Sequence, residues 1–396
     1  MFMFLFFLFV GIIISCLPRL DKIFYQTTKV LLCCCIFPFY YFGTRETHDI
    51  NVFQSLLNSI STLSVYKTLE SIQYEPISMT SLWLFKDFDN GAFIWHSSIV
   101  LLFFLSIINF VETVVGKNIW IPTISFIAVL PALFGEFILN QSRQLLSTAW
   151  IIICLSFVVI YIRNLTVQRQ NLKFNWKNLV IAFIFGTLSF LSHYSSISLI
   201  TLIVLFIFVL QLFISDSPTL MQKLVKITFY TILTIGFFYF VYSLSTSFSF
   251  MRLSLYETIS RYSNYEYALN TYNFVFESKN VILIQVLFFF DFLMLIINRK
   301  NTTYSNLSKE LFSLNLVIFL YFIGSIGYAI CYYSIHTPGL IELGRRFVYY
   351  VFTIQVLAFS VSMTQIKKFL LFIVFTSPFI LYTVIMIVFS PHLFKF

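Results

Sequence analysis

The chain has 396 residues, of which 59% are hydrophobic and only 10% charged, and it carries a formal charge of +9. Soluble domains hold about 25% charged residues, so this composition excludes an ordinary soluble enzyme and points to an all-α, polytopic integral membrane protein. The basic excess has no soluble scaffold beneath it, which excludes nucleic-acid binding in favour of cytoplasmic loops facing anionic headgroups.

A spanning helix needs about 20 apolar residues, and about twelve such runs can be placed. In chain order they cover Phe2 to Leu17, Ile23 to Phe42, Phe93 to Val111, Ile119 to Leu139, Leu145 to Tyr161 and Leu179 to Leu191. They continue over Ser195 to Phe213, Leu224 to Leu244, Val281 to Ile297, Leu311 to Tyr333, Phe347 to Val361 and Phe369 to Phe389. The first run resembles a signal peptide but lacks a basic leader and a small-residue cleavage site, and is taken as a span. Leu179 to Leu191 is short for a full crossing; it forms either a tilted pair or a re-entrant element with its successor. Cys16, Cys33, Cys34, Cys35, Cys154 and Cys331 all lie in apolar runs. None has zinc-ligand spacing with a His, so they read as small buried residues, with no metal or cofactor implied.

The chain is expected to form one transmembrane domain over residues 1–396, with two longer extracytoplasmic loops over 43–92 and 245–280. Fifteen of the 25 Lys and Arg residues fall in the short loops after odd-numbered spans or, as Lys29 and Lys226 do, in the opening turns of the span that follows, which places those loops in the cytoplasm. The first long loop contains ISTLSVYKTLESI, whose apolar residues recur at helical spacing, as an interfacial helix or lid. The second holds Tyr256, Tyr262, Tyr265, Tyr267 and Tyr272, which fit interface anchors or a sugar-stacking surface.

Five polar clusters then fall on the outer face. GTRETHDINVF offers Arg45, whose fork matches phosphate oxygens, and Asp49, a candidate base; an Arg45–Asp49 ion pair is the plainer alternative. In QYEPISM, Pro76 forces an extended backbone on Glu75, presenting its carboxylate on a rigid kink or leaving it solvated. In ILNQSRQLLS, Gln141 and Arg143 open a helix whose free N–H groups favour a phosphate, unless the segment is a plain turn. In FLSHYSSISL, His193 is suited to shuttle a proton from a substrate hydroxyl, or else packs two helices. In YYSIHTPGLIELGRRFVYY, His336, Arg345 and Arg346 suit a pyrophosphate, or else snorkel to headgroups. No Walker loop, nucleophile elbow or dinucleotide fingerprint is present.

This ordered set resembles the EpsG-like group of Wzy-type polysaccharide polymerases, bacterial enzymes of O-antigen and capsule assembly. The likeness runs from Gly43 to Tyr350 as scattered motifs: Arg45 with Asp49, Glu75-Pro76, Arg143-Gln144, His193 with Tyr194 and Ser195, and Arg345 or Arg346 with Tyr349 and Tyr350. His48 and Phe53 stand where the family carries Gly and Tyr. The resemblance implies a GT-C-like membrane glycosyltransferase in the bacterial inner membrane, with its active site on the outer face. It would move a growing glycan from undecaprenyl pyrophosphate to the sugar of a new lipid-linked repeat unit. His193, Asp49 or Glu75 would take the hydroxyl proton. Arg45, Gln141, Arg143, His336, Arg345 and Arg346 would bind substrate. A chain-length regulator and a repeat-unit flippase are the protein partners implied. An O-antigen ligase, or a flippase or transporter of the lipid-linked oligosaccharide, is the alternative.

Overall fold

A computed structural model describes residues 25–33, 48–71, 74–117, 120–133, 141–167, 176–196, 200 and 341–364. Among the described residues every regular element is helical. Residues 25–33 form α1, followed by α2 (His48–Ile60), α3 (Val65–Ser71), α4 (Pro76–Trp83) and α5 (Gly91–Val115). Then come α6 (Ile121–Leu133), α7 (Ser142–Val167), α8 (Trp176–Ser192), a single 3-10 turn at Tyr194–Ser196, and α9 (Ile341–Thr364). The expected first and last spans, those between residues 201 and 340, and the loop 245–280 lie outside the described residues.

Among the described residues, two helices are long and apolar enough to cross a membrane, over Gly91–Val115 and Ser142–Ile162. At about 1.5 Å per residue, 25 residues reach about 37 Å, more than a hydrocarbon core of about 30 Å. The 17 residues of α8 reach about 26 Å, longer than its sequence run suggests. Helix α5 ends at Gly116, whose φ of 91° only glycine adopts readily, with its N–H bonded to the Glu112 carbonyl at 2.9 Å. It begins at Gly91, where a Cβ would sit 2.1 Å from the Phe85 carbonyl oxygen, so the preceding turn can fold directly onto the helix only through a glycine.

The core forms where α5, α7 and α8 pack side by side, with α6 and α9 behind α5 and α2 against it. Phe185 of α8 is stacked between Trp150 and Phe157 of α7, at 5.6 Å and 5.9 Å between ring centres. Each such pair contributes about 0.5–1.5 kcal/mol beyond its buried area. Phe104 meets Phe126 edge-on at 6.0 Å between α5 and α6. Ser147 and Ser189 share a hydrogen bond at 2.8 Å across the α7–α8 seam, where small side chains let the helices approach. Other buried hydroxyls return to their own helix, as Thr148 does to the Gln144 carbonyl and Ser156 to that of Ile152.

This packing gives the bundle two chemically distinct ends. The start of α5, the start of α7 and the end of α8 lie together, because His96 bonds Ser142 and Ser147 bonds Ser189. Near the far end of α5, Glu112 accepts a hydrogen bond from Tyr25 and lies 3.6 Å from Lys29, which ties α1 to α5. His96 and Glu112 lie sixteen positions apart on one helix, about 24 Å along the axis.

Candidate functional site

The polar end of the bundle is organised by Glu75. Proline disfavours α-helix in the residue before it, and Glu75 accordingly takes φ −62° and ψ 132° while Pro76 opens α4. The Glu75 carbonyl still accepts the first helical bond, from Met79 N–H at 3.0 Å. Its carboxylate makes no side-chain cap to the helix it precedes. It turns instead toward the two flanking long helices.

There, Oε1 of Glu75 accepts a hydrogen bond from Nδ1 of His193 at 2.7 Å, and Oε2 pairs with Nη1 of Arg143. The carboxylate and the imidazole are almost wholly buried, whereas the Arg143 side chain keeps 24% of its surface exposed. An acid taken out of water without partners is costly, and an Arg and a His offset much of that cost. Burial alone would raise the Glu75 carboxyl above 4.5, but the positive charge of Arg143 and the hydrogen bond from His193 outweigh it and hold the group well below the usual carboxylate range.

This depression has a direction that can be measured. A carboxyl lowered by folding stabilises the native state fully above its unfolded value, near 4.5, and loses that contribution as pH falls below it. The melting temperature of the detergent-solubilised protein is expected to fall steeply below about pH 4.5. A Glu75→Gln variant should show a flatter acid limb in the same measurement.

Arg143 is held on a second side by Tyr74, whose ring centre lies 4.5 Å from the guanidinium carbon. The dipeptide Tyr74-Glu75 therefore grips the guanidinium by face and by edge. Arg143 also sits in the first turn of α7, since Leu145 N–H bonds the Gln141 carbonyl at 2.8 Å. A cation at the positive end of a helix dipole is electrostatically misplaced unless an anion joins it. Glu75 supplies that anion, and the Arg143 side chain stays part-exposed.

His193 follows the last residue of α8, with its N–H on the Ser189 carbonyl at 3.0 Å. The Ser78 hydroxyl donates to the Ser192 carbonyl at 2.7 Å, so α4 and the end of α8 are joined twice within one turn. On its other flank α4 is joined to α5 by Trp95, whose Nε1–H donates to Ser81 Oγ at 2.9 Å.

Glu75, Arg143 and His193 thus come together, and the solvated alternative for Glu75 gives way to a buried ion cluster. Gln141 is half-buried at the turn entering α7. Asp49 lies in the first turn of α2, and Arg345 and Arg346 near the start of α9, which packs on α5 and α6. Arg45 and His336 lie outside the described residues. Sequence reasoning missed Tyr74, Ser78 and His96. The first stood in view beside Glu75, but nothing in the sequence placed Arg143 over its ring.

Compared with family models, with curated proteins and with solved structures, the chain matches none. The chemistry on offer is nevertheless definite. A carboxylate acceptor at Nδ1 fixes the imidazole tautomer with its proton on Nδ1, which leaves proton exchange with a hydroxyl to Nε2. The guanidinium beside it, on a side chain that stays part-exposed, can stabilise a developing phosphate charge.

Proposed function

We propose that this chain is a membrane glycosyltransferase that polymerises an O-antigen or another surface polysaccharide. It transfers the growing glycan from undecaprenyl pyrophosphate to the non-reducing end of a new lipid-linked repeat unit, on the outer face of a bacterial inner membrane. The observation that carries this reading is the buried Glu75 joined at once to His193 and to a part-exposed Arg143. The resemblance to Wzy-type polymerases supports it, since the same three residues stand in that group's motifs.

In this reaction the acceptor hydroxyl oxygen attacks the anomeric carbon of the donor sugar. The bond from that carbon to the pyrophosphate oxygen breaks, and its electron pair leaves with undecaprenyl pyrophosphate. His193 takes the hydroxyl proton at Nε2, and Glu75 stabilises the imidazolium that forms. Arg143 steadies the departing pyrophosphate, with Arg45, His336 and Arg345 or Arg346 as further cationic ligands and Gln141 as a polar one. Asp49 is the remaining candidate acid or base. Twelve spans in a GT-C-like arrangement would admit the polyprenyl tails from the lateral faces, with a chain-length regulator and a repeat-unit flippase as neighbours.

Arg143→Ala and His193→Ala, expressed in a strain deleted for the wild-type gene, are each expected to give surface glycan of single-repeat length. Loss of a positioned base or of a charge stabiliser costs about 100-fold or more in rate, enough to erase a ladder of long chains. Long chains in both variants reject the assignment. Loss of all attached glycan identifies a ligase instead.

A further inference from the structure

His96 is a fully buried histidine that the proposed reaction does not use. It lies in the second turn of α5, and its Nδ1 shares a hydrogen bond at 2.7 Å with the hydroxyl of Ser142, the first residue of α7. Arg143 is the next residue, its Cα about 3.8 Å away. The first turn of a helix lacks intrahelical partners for its N–H groups and frays unless something holds it. Here a side chain from a neighbouring helix holds it.

The residue beside His96 makes the arrangement informative. Trp95 bonds Ser81 of α4, the helix that Glu75 precedes, while His96 bonds the start of α7, which carries Arg143. Two consecutive residues of one rigid helix thus fix both partners of the Glu75–Arg143 pair. Displacing a binding group by about 1 Å can cost about 100-fold in rate, so a common ruler for the two segments has a functional use.

We propose that His96 is a positioning residue that sets the guanidinium of Arg143 for the lipid pyrophosphate, acting through Ser142. The proposal rests on Arg143 being the pyrophosphate ligand. His96→Asn keeps a polar atom on Cγ, where Nδ1 stands, whereas His96→Leu removes it. The Leu variant is expected to raise the KM for the lipid-pyrophosphate donor about tenfold with kcat changed less than about threefold, and Asn to restore most of it. Ser142→Ala should reproduce the Leu effect, and the double variant His96→Leu with Ser142→Ala should be no worse than either single one.

Amide hydrogen exchange of the 141–146 segment, in the full chain in lipid nanodiscs, tests the inference without any substrate. His96→Leu should speed it at least about tenfold and His96→Asn should not. Unchanged exchange in the Leu variant overturns the role of His96, whatever the glycans do. Faster exchange with an unchanged KM also overturns it, because the loosened turn then does not matter to the reaction. Long glycan chains in Arg143→Ala reject the proposed function separately, and the positioning role falls with it.

Discussion

Replacing Glu75 by Gln is expected to stop chain extension while the protein stays folded. The carboxylate meets a donor on each oxygen, Arg143 on Oε2 and His193 on Oε1. A glutamine has one oxygen and one NH2. Facing the NH2 toward a guanidinium sets donor against donor, so the oxygen turns to Arg143 and the NH2 to His193. Nδ1 must then accept, and the ring proton moves to Nε2. The imidazole is still hydrogen-bonded and still packed, but it can no longer take a proton from a hydroxyl. In a serine-protease triad the comparable amide substitution costs about 10,000-fold through the wrong tautomer, and a loss of 1,000-fold or more is expected here. Raising the pH does not restore the base, because the fault is a tautomer and not a charge. The measurement is glycan length together with the melting temperature of the purified variant. A long ladder from Glu75→Gln would exclude the dyad. Glu75→Ala is the weaker test, since removing one partner of a buried ion pair costs about 3–5 kcal/mol and confounds folding with chemistry.

What could be foreseen from sequence follows from where the side chains find their partners. The Glu75-Pro76 kink was legible because it depends on adjacent residues alone, and the backbone angles agree with it. The runs behind α5, α7 and α8 were legible because sustained apolarity is a local signal. Their ends were not. The span expected to stop at Val111 runs on to Val115 because the charge that seemed to end it, Glu112, is partnered by Lys29 and Tyr25 from another helix. Helix α7 starts at Ser142, three residues before its apolar run, because His96 and Glu75 receive the polar side chains there. The stretch ISTLSVYKTLESI was expected to be an interfacial helix or a lid, and its residues Val65–Ser71 do form α3, but its first residues turn instead, separating α3 from α2. At that break Ser64 Oγ accepts from Lys67 N–H at 3.4 Å and Trp83 Nε1–H donates to the Leu63 carbonyl at 3.0 Å. A local cap and one tertiary bond outweigh the helical period there. The convergence of positions 75, 143 and 193 was legible only as a shared side of the bundle; that they touch depends on how α4 is pinned by Ser78 and Ser81.

Arg143→Lys is expected to fail as badly as Arg143→Ala, although it keeps the charge. Three demands fall on Arg143: an edge to Glu75, a face over Tyr74 and, in the proposed reaction, the departing pyrophosphate. A planar fork can meet all three at once. A lysine ammonium is a compact charge on a flexible stem. Drawn to the buried Glu75, it neutralises the carboxylate and keeps the fold, but it loses the stack on Tyr74 and presents no second edge outward. Stability is therefore expected to change by about 1 kcal/mol or less, on the scale of one cation–π contact. Chain extension should still collapse to one or two repeats. Tyr74→Phe, which keeps the ring, should retain long chains, and Tyr74→Leu, which removes it, should shorten them. If Lys at 143 supports a full ladder, charge alone suffices and the clamped geometry of the guanidinium has no part in the reaction.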